Sequence, residues 1–334
     1  MERRLFFSKR FFLILICTVI LTLFLLLLIR FYVGKNKAEK YWQHQLNSYS
    51  KIKNIGSTKS LEILPLSEWF LSDEKFKKEA GVSYLVKTDT KTILFDVGLN
   101  RENEDPSPLM HNMDQLDVSI DDIDTIFISH NHVDHVGGIK WTASKTFSLT
   151  NHQIEISGKE VYTPLPMKYP GLRPELTEQP KKLAEGVATT GVIANQLFFL
   201  GFEPEQALVI NVEGKGLVLI IGCGHQTVSK LLQRIKQVFD EPIYGIVGGL
   251  HYAVTDSRGT VAGIGIQKYV GTGRLPWKPI TMDYVHKDIE LISKQKPKLI
   301  RLSGHDSCDA SLESYRNAFP LIFQTIKVGE KITI

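Results

Sequence analysis

The chain predicts a layered α/β domain behind one N-terminal membrane-spanning helix. Three observations carry this reading: a long charge-free apolar run near the start, a cluster of short β-prone segments after a polar stretch, and strands that then alternate with helical segments. The composition, 43% hydrophobic and 23% charged over 334 residues, is that of ordinary folded protein with room for one large core.

Residues 11–29 are apolar apart from Thr18 and Thr22 and carry no charge. As a helix they reach about 30 Å, the thickness of a bilayer core. A cleaved signal peptide is the rival reading, but Arg30, Phe31, Tyr32 and Val33 offer no small-residue cleavage pattern, and Ile16 before Cys17 argues against a lipoprotein signal. The run therefore reads as an uncleaved single-pass anchor behind a basic segment, residues 1–10. Arg3, Arg4, Lys9 and Arg10 precede it and Arg30, Lys35, Lys37 and Lys40 follow, so basic residues flank both ends and the positive-inside rule separates them little. The usual outcome for such an anchor puts the large domain on the extracytoplasmic side. Residues 30–57 are polar without strand alternation and read as a juxtamembrane linker, helical in part.

The folded domain is expected over residues 58–334. Residues 61–66, 83–88, 92–98 and 125–130 read as strands, with the acidic stretch 117–124 as a short helix or turn feeding the last of them. Proline-spotted residues 141–186 read as surface loops. Residues 207–212 and 216–221 read as strands, the second fully buried, and 227–239 has apolar positions at helical spacing. Further strands are expected at 244–247, 299–302 and 322–328, with a helix over 288–294.

The net charge of +4, with acids nearly matching bases, gives no reason to expect nucleic acid as a partner. Three cysteines exclude a disulfide-dense scaffold and a four-cysteine zinc module. The chemistry concentrates in residues 126–138, IFISHNHVDHVGG. If the strand continues in extended form, His130, His132 and Asp134 share one side, and His135 follows as the chain turns at Gly137 and Gly138. Three imidazoles and a carboxylate so close together supply donors for two adjacent divalent ions, zinc foremost, with iron or manganese as alternatives. No GxSxG, HExxH or GxxxxGK[ST] motif occurs.

His130, His132, Asp134 and His135 complete an HxHxDH signature, and in this the sequence resembles the metallo-β-lactamase superfamily. The resemblance implies an αββα sandwich with the metal site at one edge of its sheets, and Asp96, at the end of an early strand, as the residue that orients the ligand loop. The segments GVSYLV, ILFDVGLN, PEQALVINVEGKGLVLIIGCGH, YGIVGGLHY and VGEKITI extend the resemblance, over nearly all of residues 61–334, to the branch related to dihydropterin-type ribofuranosyl-aminobenzene-phosphate synthases. That branch writes GCSH, GGFH and HCTG where this chain has GCGH, GGLH and GHDSC, so His225, His251 and His305 are kept while their neighbours change. By that resemblance His130, His132 and His225 hold one metal, and Asp134, His135 and His305 the other. His251 is either a pocket residue that binds substrate or assists proton transfer, or a satisfied histidine near the sheet edge. GCGH stands where many members carry a bridging aspartate. Cys223 and Cys308 read as small buried hydrophobes, with soft ligation or a Cys-His nucleophile as alternatives.

The expected activity is hydrolysis of an ester, phosphoester or lactone of a small-molecule or lipid-associated substrate, with Asp134 and His251 as catalytic groups. A metal-retaining membrane sensor, or a transferase or synthase like the pterin branch, is the alternative. A redox iron enzyme would need a flavin-binding domain, of which the chain shows no recognisable sign, and a nuclease would need a basic cleft or an added nucleic-acid module, which the near-balanced charge argues against.

Overall fold

The computed structural model describes residues 2–261 and 263–334, with backbone alone for residues 2–8 and Val261. The side chains of Arg3 and Arg4 in the basic segment therefore lie outside what the structure describes.

Helix α1 (Glu2–Ser48) is continuous. No residue of its most apolar stretch is buried, and by length and composition it suffices to cross a membrane. The second half departs from the expected linker. Phe31, Ala38, Trp42 and Gln45 recur on one helical face and are buried against the domain. The Arg234 guanidinium, itself buried, donates to Gln45 Oε1 at 2.6 Å and lies 5.1 Å over the Trp42 ring, which ties the helix down by a side chain nearly two hundred residues away. Sequence alone shows a polar stretch here because a single buried face every third or fourth residue is diluted by the exposed ones.

The strands follow as β1 (Glu62–Ser67), β2 (Ser83–Lys87), β3 (Thr92–Phe95), β4 (Thr125–Phe127), β5 (Glu160–Thr163), β6 (Glu175–Leu176), β7 (Lys181–Ala184), β8 (Val187–Thr189), β9 (Ile193–Leu197), β10 (Gly201–Glu205), β11 (Leu208–Val212), β12 (Gly216–Ile221), β13 (Ile243–Gly248), β14 (Thr260–Val261), β15 (Ile264–Gly265), β16 (Leu299–Leu302), β17 (Phe323–Thr325) and β18 (Ile332–Thr333). After α1 the helices are α2 (Pro108–Gln115), α3 (Ile139–Ser144), α4 (Val228–Val238), α5 (Gln267–Val270), α6 (Met282–Ser293) and α7 (Asp309–Ala318), and residues 120–122 form a 3₁₀ turn. One seven-stranded sheet has the order β18-β1-β2-β3-β4-β5-β6 and a second the order β17-β16-β13-β12-β11-β8-β7. The β9–β10 hairpin stands apart and packs on α1.

Strand alternation sorts the side chains into layers. In β12, Val218 and Ile220 meet Phe95, Phe127 and Tyr84 of the facing sheet, while Leu217, Leu219 and Ile221 point the other way, onto Leu231 and Ile235 of α4. Leu94 and Ile126 of the first sheet turn outward to Leu109 and Met113 of α2. The result is the αββα sandwich.

Residues 141–186 correct the expectation of loops alone, since β5, β6, β7 and part of α3 fall there. β5 is short and flanked by turns, so its alternation is slight; pairing with β4 defines it. Position of the site follows from topology: β3 and β4 run parallel, as do β12, β13 and β16, so the loops leaving these strands gather at the strands' C-terminal ends.

Candidate metal centre

The ligand loop does not use strand alternation. β4 ends at Phe127, and residues 132–138 form a bend and turns in which the His135 and Val136 amides both donate to the His132 carbonyl. A turn, not an extended strand, brings His130, His132, Asp134 and His135 together. Gly137 makes it possible: its φ is +89°, and a Cβ there would stand 2.2 Å from the Ser148 carbonyl oxygen.

Two donor groups result, each with ligand atoms within 4.8 Å of one another: His130, His132 and His225, and then Asp134, His135, Cys223 and His305. The second contains a residue expected to be a mere hydrophobe. Cys223 Sγ stands 3.0 Å from His135 Nε2 and 3.2 Å from His305 Nε2, and the same sulfur also groups with His225 and His251. It is buried because it packs at the centre of the donor cluster, and its burial alone says nothing about polarity. Cys308 lies apart, its sulfur 3.1 Å from Ser311 Oγ, and all three cysteines are unpaired.

Outer acceptors fix the imidazoles. Asp96, buried and held at φ +55°, accepts from the Ser129 amide at 2.7 Å, Ser129 Oγ at 2.6 Å and His135 Nδ1 at 2.6 Å. With its proton given to Asp96, Ser129 Oγ accepts from His130 Nδ1 at 2.9 Å. His225 Nδ1 donates to the Gly271 carbonyl at 2.7 Å, and His305 Nδ1 donates to Ser303 Oγ, which in turn donates to the buried Glu68. These assignments follow from the acceptors present. Each of the four rings therefore turns its Nε2 inward, where the neutral ring presents a lone pair, which is the arrangement a metal requires.

The chemistry of the set fits divalent cations. His130 Nε2 is buried with no hydrogen-bond partner, and the His225 Nε2 lone pair accepts from His132 Nδ1 at 3.0 Å. Leaving a buried atom such as His130 Nε2 unpartnered costs roughly 1–3 kcal/mol, which a bound cation would offset. Burial and neighbouring imidazoles hold His130 and His225 well below the usual histidine range, and burial takes His305 down to about 3. Burial also lowers His135, but the charges of Asp134 and Asp96 outweigh it and push that ring up to about 9. The Cys223 thiol is pushed well up by burial and by the surrounding carboxylates.

His251, at φ +52°, lies beside Cys223 and His225. Its Nε2 donates to the Gln267 carbonyl at 3.0 Å, its Nδ1 has no hydrogen-bond partner, and burial brings it down to about 4. Three carboxylates that sequence reading missed complete the surroundings. Glu203 Oε2 is 2.9 Å from His132 Nε2, and Glu205 Oε1 accepts the Cys223 and Gly224 amides at 3.1 and 2.8 Å. Glu68 accepts the Gly304 and His305 amides at 3.1 and 3.0 Å. A signal existed for two of them: Glu203 and Glu205 are two apart in a strand and so share a face. Glu68 acts across the whole fold, and no local pattern marks it.

Residues 77–232 match the family described as the metallo-beta-lactamase superfamily. The chain is 25% identical over 270 residues to the 7,8-dihydropterin-6-methyl-4-(beta-D-ribofuranosyl)-aminobenzene-5'-phosphate synthase of Methanocaldococcus jannaschii, covering 67% of this chain and 88% of that one. An uncharacterized protein of the same organism is 25% identical over 209 residues, covering 53% and 75%. The crystal structure of Tm1679, a metal-dependent hydrolase of the β-lactamase superfamily, superposes with a TM-score of 0.56 at 19% identity, over 81% of this chain and 98% of that one. The shared sandwich, with the match to that superfamily over residues 77–232 and the donor cluster at the strand ends, gives this domain a metallo-β-lactamase-like fold.

Proposed function

We propose that the protein is a membrane-anchored, metal-dependent hydrolase of an ester, phosphoester or lactone-type bond. The observation that carries the reading is the inward convergence of four imidazole Nε2 atoms, with Asp134 and Cys223, on two adjacent donor groups. His130, His132 and His225 would hold one ion, and Asp134, His135, His305 and Cys223 the other. Such ions, zinc foremost, supply Lewis acidity for the scissile group and bring the pKa of a water towards about 7. In this reading Cys223 would add a soft sulfur donor to the second group.

The chain's own groups handle the protons. The Asp134 side chain is 17% exposed, whereas His135 and His305 beside it are sealed, so its carboxylate is the donor-group oxygen that an incoming water reaches. Oriented by its bond to Gln267, neutral His251 keeps a lone pair at Nδ1 that can accept a proton and return it to the leaving group. Asp96 and Glu68 keep His135 and His305 in the ligating tautomer.

Metal analysis together with chromogenic esters, phosphodiesters and lactones tests this. His132→Ala and Asp134→Ala should each abolish measurable turnover and lower bound metal while the domain stays folded. Wild-type metal content in both variants would refute the ligand assignment. A second reading, a synthase acting on a phosphorylated ribofuranosyl compound, is favoured by the 25% identity to the archaeal synthase. Condensation products from such a phosphate and a pterin, with no hydrolysis of the panel, would decide for it.

A further inference from the structure

The end of the apolar span does not hang free of the domain. The Phe24 ring stands 5.8 Å from Trp277, Trp277 is 6.0 Å from Phe198, and Phe198 is 5.3 Å from Phe31. Arg30 Nη2 donates to the Phe199 carbonyl at 2.9 Å. The β9–β10 turn and Trp277 are thereby fixed beside residues 24–31. Phe24 lies about 8 Å on the bilayer side of Ile29, where the apolar run ends. Phe199, Leu200 and Trp277 are 43, 50 and 52% exposed at this level, which is where aromatic and aliphatic side chains meet lipid headgroups.

A cleft of about 630 Å³ begins at the same turn. Leu200, Phe202 and Leu176 form its apolar wall, and it ends at His132 and Glu203 of the donor cluster. Lys37 and Lys145 also line it, Lys37 standing about 12 Å beyond Ile29 along the helix. Neither lysine has an ion pair among the described residues. Of the lining carboxylates, Glu203 is paired with His132, and Glu178 accepts from the Tyr41 hydroxyl at 2.9 Å and keeps its charge. One opening thus joins an apolar wall at headgroup level, two ammonium groups without ion pairs, of which Lys37 lies 5.4 Å over the Phe202 ring, and a metal-ligating histidine.

We propose that the domain sits on the bilayer through the β9–β10 turn and Trp277, and that the cleft takes an anionic amphiphile directly from that membrane. Its apolar part lies against Leu176, Leu200 and Phe202, and its head reaches His132 past Lys37 and Lys145. Only the fate of that head rests on the hydrolase reading.

The full chain in vesicles of phosphatidylcholine and phosphatidylglycerol provides the test. With brominated acyl chains, tryptophan emission is quenched, and Trp277→Phe removes most of the quenchable part; quenching that is absent or unchanged by this substitution overturns the seating. Phosphatidylglycerol with a diazirine at the acyl terminus labels the segments around Leu176, Leu200 and Phe202 on irradiation. The matched phosphatidylcholine probe labels them several-fold less, and Leu200→Asp, at a half-exposed position, lowers the yield. Labelling confined to residues 11–29 overturns the amphiphile cleft, and equal labelling by both probes overturns the anionic preference. Neither arm needs turnover, so a protein that is quenched and labelled yet hydrolyses nothing supports this proposal and refutes the hydrolase.

Discussion

Cys223 shows what a single residue contributes here, because its sulfur touches both His135 and His305 while Cys308 touches neither. Loading with Co²⁺ should give a thiolate-to-cobalt charge-transfer band that Cys223→Ser abolishes and Cys308→Ser leaves; a band indifferent to both would remove Cys223 from the donor set. Proton linkage gives a second expectation. His135, at about 9 without metal, is protonated near neutral pH, and only its neutral ring can ligate. Its raised pKa stabilises the metal-free fold fully below 6.5 and loses that contribution as pH rises through about 9. Metal loading at neutral pH should therefore release protons, and apparent affinity should climb with pH up to about 9. Calorimetry in two buffers of different ionisation heat measures this, and a heat independent of buffer would contradict it. Asp96→Asn keeps the shape but loses the charge that holds His135 and Ser129, and should weaken metal binding by about 10–100-fold. Equilibrium dialysis against a chelator reports the change.

Among the elements, the turn after β4 and the second half of α1 depart most from their expected forms. Gly137→Ala places a Cβ against the Ser148 carbonyl in a left-handed conformation and should cost more than about 1–3 kcal/mol in urea unfolding. A neutral result would mean the loop has another way to close. Trp42 is buried between Arg234 and the second sheet's outer core, so Trp42→Ala should destabilise by about 3–5 kcal/mol. A free stalk would show no effect. Elements with strong periodicity were legible beforehand: β1 to β4, β11, β12 and α4 each carry their own repeat of apolar residues. β5, β6 and β7 were not, because short strands with few alternating positions gain their identity from neighbours.

At the scale of the molecule, the helix that reads as the anchor is also part of the fold. A chain beginning at residue 30 should melt well above one beginning at residue 49, since the second strips Gln45 and Trp42 from the buried Arg234 guanidinium. Equal melting temperatures would show that α1 is only tethered. The sequence by itself determined the residue types of the histidine cluster, the long apolar run and the main strands, because these are written in residue identity and short-range period. Tertiary structure alone decided which donor atoms meet. His132 and His225 are 93 positions apart, and Glu68 reaches the His305 amide over 237, brought together only because parallel strands deliver their C-terminal loops to one edge. Cys223 joined the histidine–aspartate cluster and residues 30–48 became a docked helix for the same reason: the partner that defines each lies far along the chain, where no local pattern can record it.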